Sequence, residues 1–292
     1  MQKQLTLLQK YEITLVGTRG QHFLIDPNIQ RKIVGLVDPK PTDTIVEIGP
    51  GLGALTEGLL LSGASVIAVE SDKRFCEILK SEYGYHFKNL TVVHADILSV
   101  QLARFLPKNK SAAAKLKVAG NLPYYITSPV IFYLASQRQM IHQAVLMMQR
   151  EIVDRLLAQP GTKDYGRLSL AARFYAEIHR AFHVPRTCFS PKPRVDSSVV
   201  VFTYHGKESG VNEMLLFEII KYAFAHRRKN ILNALCHEFS ARFQKEEIEE
   251  AFESAGINPK KRGEELLMKD YLKLAEIFNR TKNEPASTSQ NA

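Results

Sequence analysis

Residues 46–60, VEIGPGLGALTEGLL, read as a strand, a glycine turn and a helix, and they decide the fold class. Gly49, Gly51 and Gly53 stand at alternate positions, where a backbone must turn sharply or come close to a ligand. The spacing is G-x-G-x-G, not the G-x-G-x-x-G of a dinucleotide fingerprint, and Glu47 precedes the first glycine by two residues. Both features point to a nucleotide-like cofactor that has no pyrophosphate.

Outward from this stretch, from Thr44 to about Tyr204, apolar β-branched segments alternate with amphipathic ones. TIVEIG precedes GALTEGLLLSG, SVIAVE precedes DKRFCEILKSEY, LKVAGN precedes TSPVIFYLASQ, and HQAVLMMQ precedes REIVDRLLAQ. This is the pattern of βαβ units around a mostly parallel sheet. A proline-broken loop, VPRTCFSPKPRVD, comes before one more strand, Val199 to Tyr204. Beyond it strand signals stop, and residues 211–225, 227–241, 245–254 and 264–279 carry helical apolar spacing. The expected organisation is an α/β domain over residues 1–205, a small all-α domain over 206–282 and a polar, disordered tail over 283–292.

The chain is long enough for about two domains at roughly 150 residues each. Its net charge of +9 is unevenly spread. Residues 1–204 hold 25 Lys and Arg against 16 Asp and Glu, whereas the remainder holds 14 of each. Within the first part, residues 97–204 carry 15 basic and 5 acidic side chains, a balance suited to a polyanion such as nucleic acid. Cys76, Cys188 and Cys236 are too far apart for C-x-x-C ligation, so no metal site is expected. With no signal-peptide-like start and no long apolar run, the expectation is a cytoplasmic protein without a membrane anchor, acting as a monomer.

The candidate site residues fall at strand ends. Glu70 closes the second strand, where its carboxylate can accept from both hydroxyls of a ribose, and Asp96 follows the third, where it can accept from an adenine amino group. Gly, Glu and Asp on three successive strand ends resemble the S-adenosylmethionine pocket of class I Rossmann-like methyltransferases. The fourth strand runs into Asn121-Leu122-Pro123-Tyr124, which resembles the N/D-P-P-Y signature of methyltransferases acting on exocyclic amines. A nucleobase amino nitrogen is a poor nucleophile because its lone pair is delocalised into the ring. The Asn121 side-chain oxygen and the Leu122 carbonyl can accept its two N–H bonds, Pro123 can fix the turn, and Tyr124 can stack on the base. The methyl group of a sulfonium is electrophilic enough that positioning suffices, so no Ser/His/Asp triad is expected.

Several motifs together resemble the ribosomal RNA adenine dimethyltransferase family, in particular its small-subunit branch. Gly20-Gln21-His22-Phe23-Leu24 is similar to the family's N-terminal G-Q-N/H-F-L motif, and EIGPGLGALT, Glu70, HADIL with Asp96 and NLPYYITSP follow in family order. Phe189 to Ser197 fits F-x-P-x-P-x-V-x-S, and AFAHRRKNILNAL resembles the basic helix start of the C-terminal domain. The resemblance implies that His22, Leu24, Gly49, Gly51, Glu70, Asp96 and Asn121 contact S-adenosylmethionine, which leaves as S-adenosylhomocysteine, and that Phe189 supplies a second aromatic face opposite Tyr124. It further implies two adjacent adenosines near the 3′ end of small-subunit ribosomal RNA, within a pre-assembled subunit, as the target. Arg227, Arg228 and Lys229 at a helix start, with Lys260 and Lys261 in a loop, are the candidate phosphate contacts.

Three rival readings share parts of this pattern. A large-subunit adenine methylase would use the same first domain. A non-catalytic RNA-binding protein on a decayed methyltransferase fold is opposed by the intact Asn121, Tyr124, Glu70 and Asp96. A nicotinamide-dependent dehydrogenase is disfavoured by the glycine spacing and by N-L-P-Y.

Overall fold

The computed structural model describes residues 3–13, 22–107, 115–205, 210–226 and 229–283. The first half runs α1 (Lys3–Lys10), β1 (Phe23–Leu24), α2 (Pro27–Val37), β2 (Thr44–Ile48), α3 (Thr56–Leu61), β3 (Ser65–Glu70), α4 (Lys73–Leu79), β4 (Leu90–His94) and β5 (Leu116–Asn121). It continues through α5 (Thr127–Ser136), β6 (Ile141–Gln149), α6 (Arg150–Leu157), α7 (Arg167–Tyr175), β7 (Ala176–Val184), β8 (Phe189–Ser190) and β9 (Ser197–Tyr204). Four helices follow: α8 (Glu213–Ala225), α9 (Ile231–Phe239), α10 (Lys245–Ala255) and α11 (Met268–Asn283).

Seven strands form one sheet in the order β4-β3-β2-β5-β6-β9-β7. The pairs from β4 to β6 are parallel, while β9 runs antiparallel to both β6 and β7. Strands β2 and β9 are nearly continuous apolar runs because helices or loops cover both their faces. The sequence places helix starts by local chemistry. Asp26 caps α2 by accepting from the Asn28 and Ile29 amides at 2.8 and 3.1 Å, with Pro27 next in line. Asp72 caps α4 through the Arg74 amide at 3.0 Å.

The sheet holds one strand more than the sequence reading provides. Residues 176–184, AEIHRAFHV, form the edge strand β7, and a register shift between Arg180 and Phe182 interrupts the alternation by which a strand is recognised.

Contacts divide the chain into two compact units, and the division differs from a single boundary at 205/206. One unit contains residues up to 153 and 175–206; the other contains 154–174 and the chain from 207 onward. The segment 154–174 joins the helical unit because its side chains complete that unit's core. Tyr165 and Leu170 are buried among Leu216, Ile219, Leu235 and Leu274, and the Tyr165 hydroxyl donates to the Leu266 carbonyl at 2.9 Å. The Gly161 amide also bonds the Glu264 carbonyl at 2.7 Å. Asn283, placed in the tail from sequence, closes α11, and residues 284–292 lie outside the described residues. Among the described residues, no helix is long and apolar enough to cross a membrane.

Candidate active site

The chain leaves β2 for β3 and β4 on one side and returns to β5 on the other, so strand order reverses between β2 and β5. A reversal of this kind opens a crevice at the carboxyl ends of the strands. The glycine turn that follows β2 has positive φ at Gly49 (61°), Gly51 (55°) and Gly53 (82°). A Cβ on Gly51 would also come within 3.1 Å of the Phe23 ring, which would have to give way.

At this crevice lies a cavity of about 260 Å³. Its wall includes His22, Leu24, Gly49, Gly51, Glu70, Asp96 and Asn121, the residues expected to hold a cofactor. It also includes Leu122, Pro123, Tyr124 and Phe189, the residues expected to hold a substrate base. Residues from six separated stretches of sequence thus share one wall, whereas Gly20 and Gln21 lie outside the described residues.

Glu70 is held in place by its own neighbours. Its Oε2 accepts from the Gly51 amide at 3.1 Å, and its Oε1 from the Asp72 amide at 3.0 Å and the Ser71 hydroxyl at 3.5 Å, so Oε2 keeps a lone pair for a hydroxyl donor and Oε1 gains one when the long Ser71 contact gives way. Burial pushes the Glu70 carboxyl up, and the backbone amides of Asp72 and Gly51 oppose that. Asp96 is exposed, and its Oδ1 accepts from the Leu98 amide at 2.9 Å.

Glu47, on β2, also lines the cavity, and the sequence reading used it only to judge the glycine spacing. It is 1% exposed, and its Oε2 accepts from the Thr56 hydroxyl at 2.6 Å. Burial pushes its carboxyl up to about 7, against the Thr56 hydrogen bond and with some help from the charge of Glu70. Its position two residues before the glycine turn was visible in the sequence; its burial depends on strands far along the chain.

Asn121 ends β5, and its Nδ2 donates to the His22 carbonyl at 3.1 Å. Because a carbonyl only accepts, this bond fixes which end of the amide is nitrogen and leaves Oδ1 as an acceptor. The Leu122 amide is tied to the Met147 carbonyl at 2.9 Å, which fixes the peptide that follows Asn121. His22 packs its ring on Tyr124 with centroids 5.4 Å apart. Its Nδ1 lies 2.7 Å from the Pro191 carbonyl, so Nδ1 carries the proton and Nε2 of the neutral ring is an acceptor. The Tyr124 hydroxyl is buried without a hydrogen-bond partner of good geometry, and burial pushes the phenol up, opposed by the nearby Ser197 hydroxyl. Phe189, in β8, pairs with Leu24 of β1 and is 4% exposed.

Residues 17–280 match the ribosomal RNA adenine dimethylase family. The chain belongs to that family. Among curated proteins, it is 39% identical over 273 residues to ribosomal RNA small subunit methyltransferase A of Anoxybacillus flavithermus, covering 92% of each chain. It is 40% identical over 276 residues to the protein of the same name from a Geobacillus species, covering 92% of this chain and 93% of the relative. Among solved structures, a dimethyladenosine transferase from Plasmodium falciparum matches with a TM-score of 0.76 and 29% identity, covering 89% of this chain and 98% of that one. The 23S rRNA methyltransferase ErmE shares the fold, with a TM-score of 0.65 and 24% identity over 88% of this chain and 99% of that one.

In this member of the family, segments carrying three of the basic residues expected to contact phosphate, from two separate motifs, are brought together. The Ile231 amide bonds the Lys261 carbonyl at 2.7 Å, which joins the start of α9, just after the exposed Lys229, to the turn carrying the exposed Lys260 and Lys261. Arg227 and Arg228 lie outside the described residues. In the same helical unit, His226 Nε2 is 2.9 Å and His237 Nδ1 is 3.4 Å from Glu238 Oε1, and the two imidazoles hold that carboxyl below its usual range.

Proposed function

We propose that this dimethylase-family chain transfers methyl groups from S-adenosylmethionine to N6 of two adjacent adenosines near the 3′ end of small-subunit ribosomal RNA. In this reading it gives N6,N6-dimethyladenosine and acts in the cytoplasm, as a monomer, on a pre-assembled subunit. The observation that carries it is the Asn121 amide: the residue lines the cavity, Nδ2 donates to the His22 carbonyl, and Oδ1 is thereby left as the acceptor. The names of the 39–40% identical relatives point to the small subunit.

The residues present fit S-adenosylmethionine. Gly49 and Gly51, in positive φ, put no side chain into the cavity, the Glu70 carboxylate suits two ribose hydroxyls, and Asp96 suits an adenine amino group. Gly49, Gly51, Glu70 and Asp96 would hold the nucleoside part, and His22 and Leu24 the methionine end. When bound, this cofactor supplies an electrophilic methyl group on a cationic sulfur.

The chain's own residues then do the positioning. Asn121 Oδ1 and the Leu122 carbonyl accept the two N–H groups of the adenine amine, which favours a pyramidal nitrogen with its lone pair free for in-line attack. Tyr124, backed by His22, and Phe189 provide apolar faces for a base taken out of its stack. Held by Asn121 Oδ1 and the Leu122 carbonyl, the nitrogen would face the methyl group that the bound cofactor supplies, and the surplus N6 proton would leave to water.

The test is transfer of labelled methyl groups to small subunits lacking N6-methyladenosine, beside large subunits and naked RNA. Dimethyladenosine in small subunits alone is the expected result. Label in the large subunit would assign the chain to the other branch of the family, and cofactor binding without transfer would make it a non-catalytic member.

A further inference from the structure

Next to the cavity, two features remain unused by the chemistry above. Tyr125 follows Tyr124 on the turn after Pro123, lines the cavity mouth and is 65% exposed. An exposed aromatic ring at the edge of a cavity that takes a base offers a face on which a neighbouring base can stack. The second feature is the loop between β8 and β9, which carries exposed Lys192 and Arg194 on either side of the buried Pro193.

The loop is built before any ligand arrives. Its Pro191 carbonyl accepts from His22 Nδ1 at 2.7 Å. The Arg186 amide donates to Asp196 Oδ1 at 3.0 Å, the Arg186 guanidinium to the Arg194 carbonyl at 3.3 Å, and the Arg150 amide to the Asp196 carbonyl at 3.0 Å. The acidic side chain of the loop, Asp196, is therefore turned to the backbone, and the two cations are presented outward. His22 touches both Tyr124 and Pro191, so the segments that carry Tyr125 and Lys192, each one residue further along, meet at the same imidazole.

We propose that Tyr125, Lys192 and Arg194 form a contact zone for the single strand on either side of the target nucleotide. Tyr125 stacks a neighbouring base, and Lys192 and Arg194 neutralise backbone phosphates. This rests on the proposed reaction at a nucleobase and adds the path of the strand. A base drawn into the cavity pulls its flanking backbone across the mouth, where an aromatic face binds any base and a preformed pair of cations binds phosphate.

The two contacts leave different signatures, which the test separates. Tyr125→Ala should raise KM for undermethylated small subunits about tenfold with kcat near wild type, and Tyr125→Phe should restore it, since stacking needs the ring and not the hydroxyl. The double variant Lys192→Gln with Arg194→Gln should flatten the dependence of log KM on log salt by about 1.4, at roughly 0.7 per phosphate contact to a single strand. Tyr125→Ala should leave that slope unchanged. Fluorescence anisotropy with a short single-stranded, adenosine-containing RNA should give the same order of affinities without methyl transfer. Unchanged S-adenosylmethionine affinity shows that each variant is folded. An active wild type with Tyr125→Ala within twofold of it in KM, or a double variant with the wild-type salt slope, would overturn the strand path alone. A wild type that modifies no RNA would overturn both this inference and the function it rests on.

Discussion

The amide nitrogen of Asn121 donates to the main-chain carbonyl of His22 at 3.1 Å, across 99 residues of sequence. This bond sets the orientation of the proposed catalytic amide and ties the segment before β1 to the end of β5. Asn121→Ala and Asn121→Asp should therefore fail in different ways. Alanine removes the acceptor for the substrate amine, and methyl transfer should fall at least a hundredfold while the enzyme stays folded. Aspartate keeps an acceptor and, like alanine, cannot donate to His22, but it alone leaves the carbonyl facing a negative charge. It should therefore also weaken S-adenosylmethionine binding, by about tenfold or more. Isothermal titration of both variants checks this, and an aspartate variant that binds cofactor like wild type would show that the His22 bond does no positioning.

Glu47 gives a pH dependence with a definite sign. Its carboxyl is raised by burial from the ordinary 4.5 to about 7, so the folded chain holds a proton that the unfolded chain releases. The stabilisation is complete below about pH 4.5 and is lost as pH rises through about 7. The loss amounts to about 3 kcal/mol at one pKa unit per 1.36 kcal/mol. Glu47→Gln keeps an oxygen for the Thr56 hydroxyl and removes the titration, so it should be more stable than wild type at pH 8 and similar at pH 5. Denaturant unfolding of the ligand-free protein across this range decides it. A cation in the cavity favours the ionised form, so S-adenosylmethionine should also bind wild type more tightly at pH 8 than at pH 6, with a flatter profile for Gln.

Gly53 and Gly161 both have φ near +80°, but their surroundings differ. A Cβ on Gly53 would lie 2.5 Å from the ring of Tyr83, which is 1% exposed, whereas nothing lies within 4 Å of one on Gly161. Gly161→Ala should cost only the conformational penalty, about 1 kcal/mol. Gly53→Ala adds overpacking and should cost about 2–4 kcal/mol, lowering the melting temperature by roughly 5–15 °C. Equal melting temperatures for the two variants would mean that Tyr83 moves aside freely.

The parts of this molecule that were legible in the sequence are those whose chemistry is local. A glycine turn after a strand, Glu70 and Asp96 on the next strand ends, and N-L-P-Y after the fourth each announce themselves within a few residues, and the parallel sheet then gathers them. Strand β7 was not legible, because Arg180 and Ala181 break its apolar alternation at the point where the register shifts. Glu47 was visible as a residue but not as a buried acid, since its burial comes from tertiary packing. The loop from Phe189 to Ser197 was legible as a motif, but not how its cations are presented, because the bonds that hold it run to His22, Arg150 and Arg186.

The place of residues 154–174 in the helical unit can be tested at one hydroxyl. Tyr165 is 1% exposed and donates to the carbonyl of Leu266, itself fully buried, at 2.9 Å across 101 residues. Tyr165→Phe leaves that carbonyl unpaired and should cost about 1–3 kcal/mol. Tyr271→Phe, which loses a 2.8 Å bond to the Gly263 carbonyl in the same core, should cost a similar amount. Because both hydroxyls serve the helical core, both variants should lower its unfolding transition and leave S-adenosylmethionine affinity at the wild-type value. Tyr165→Phe melting like wild type while Tyr271→Phe is destabilised would mean that 154–174 lies against the helices without supporting them, and the boundary read from the sequence at 205/206 would then describe the energetics better than the contacts do.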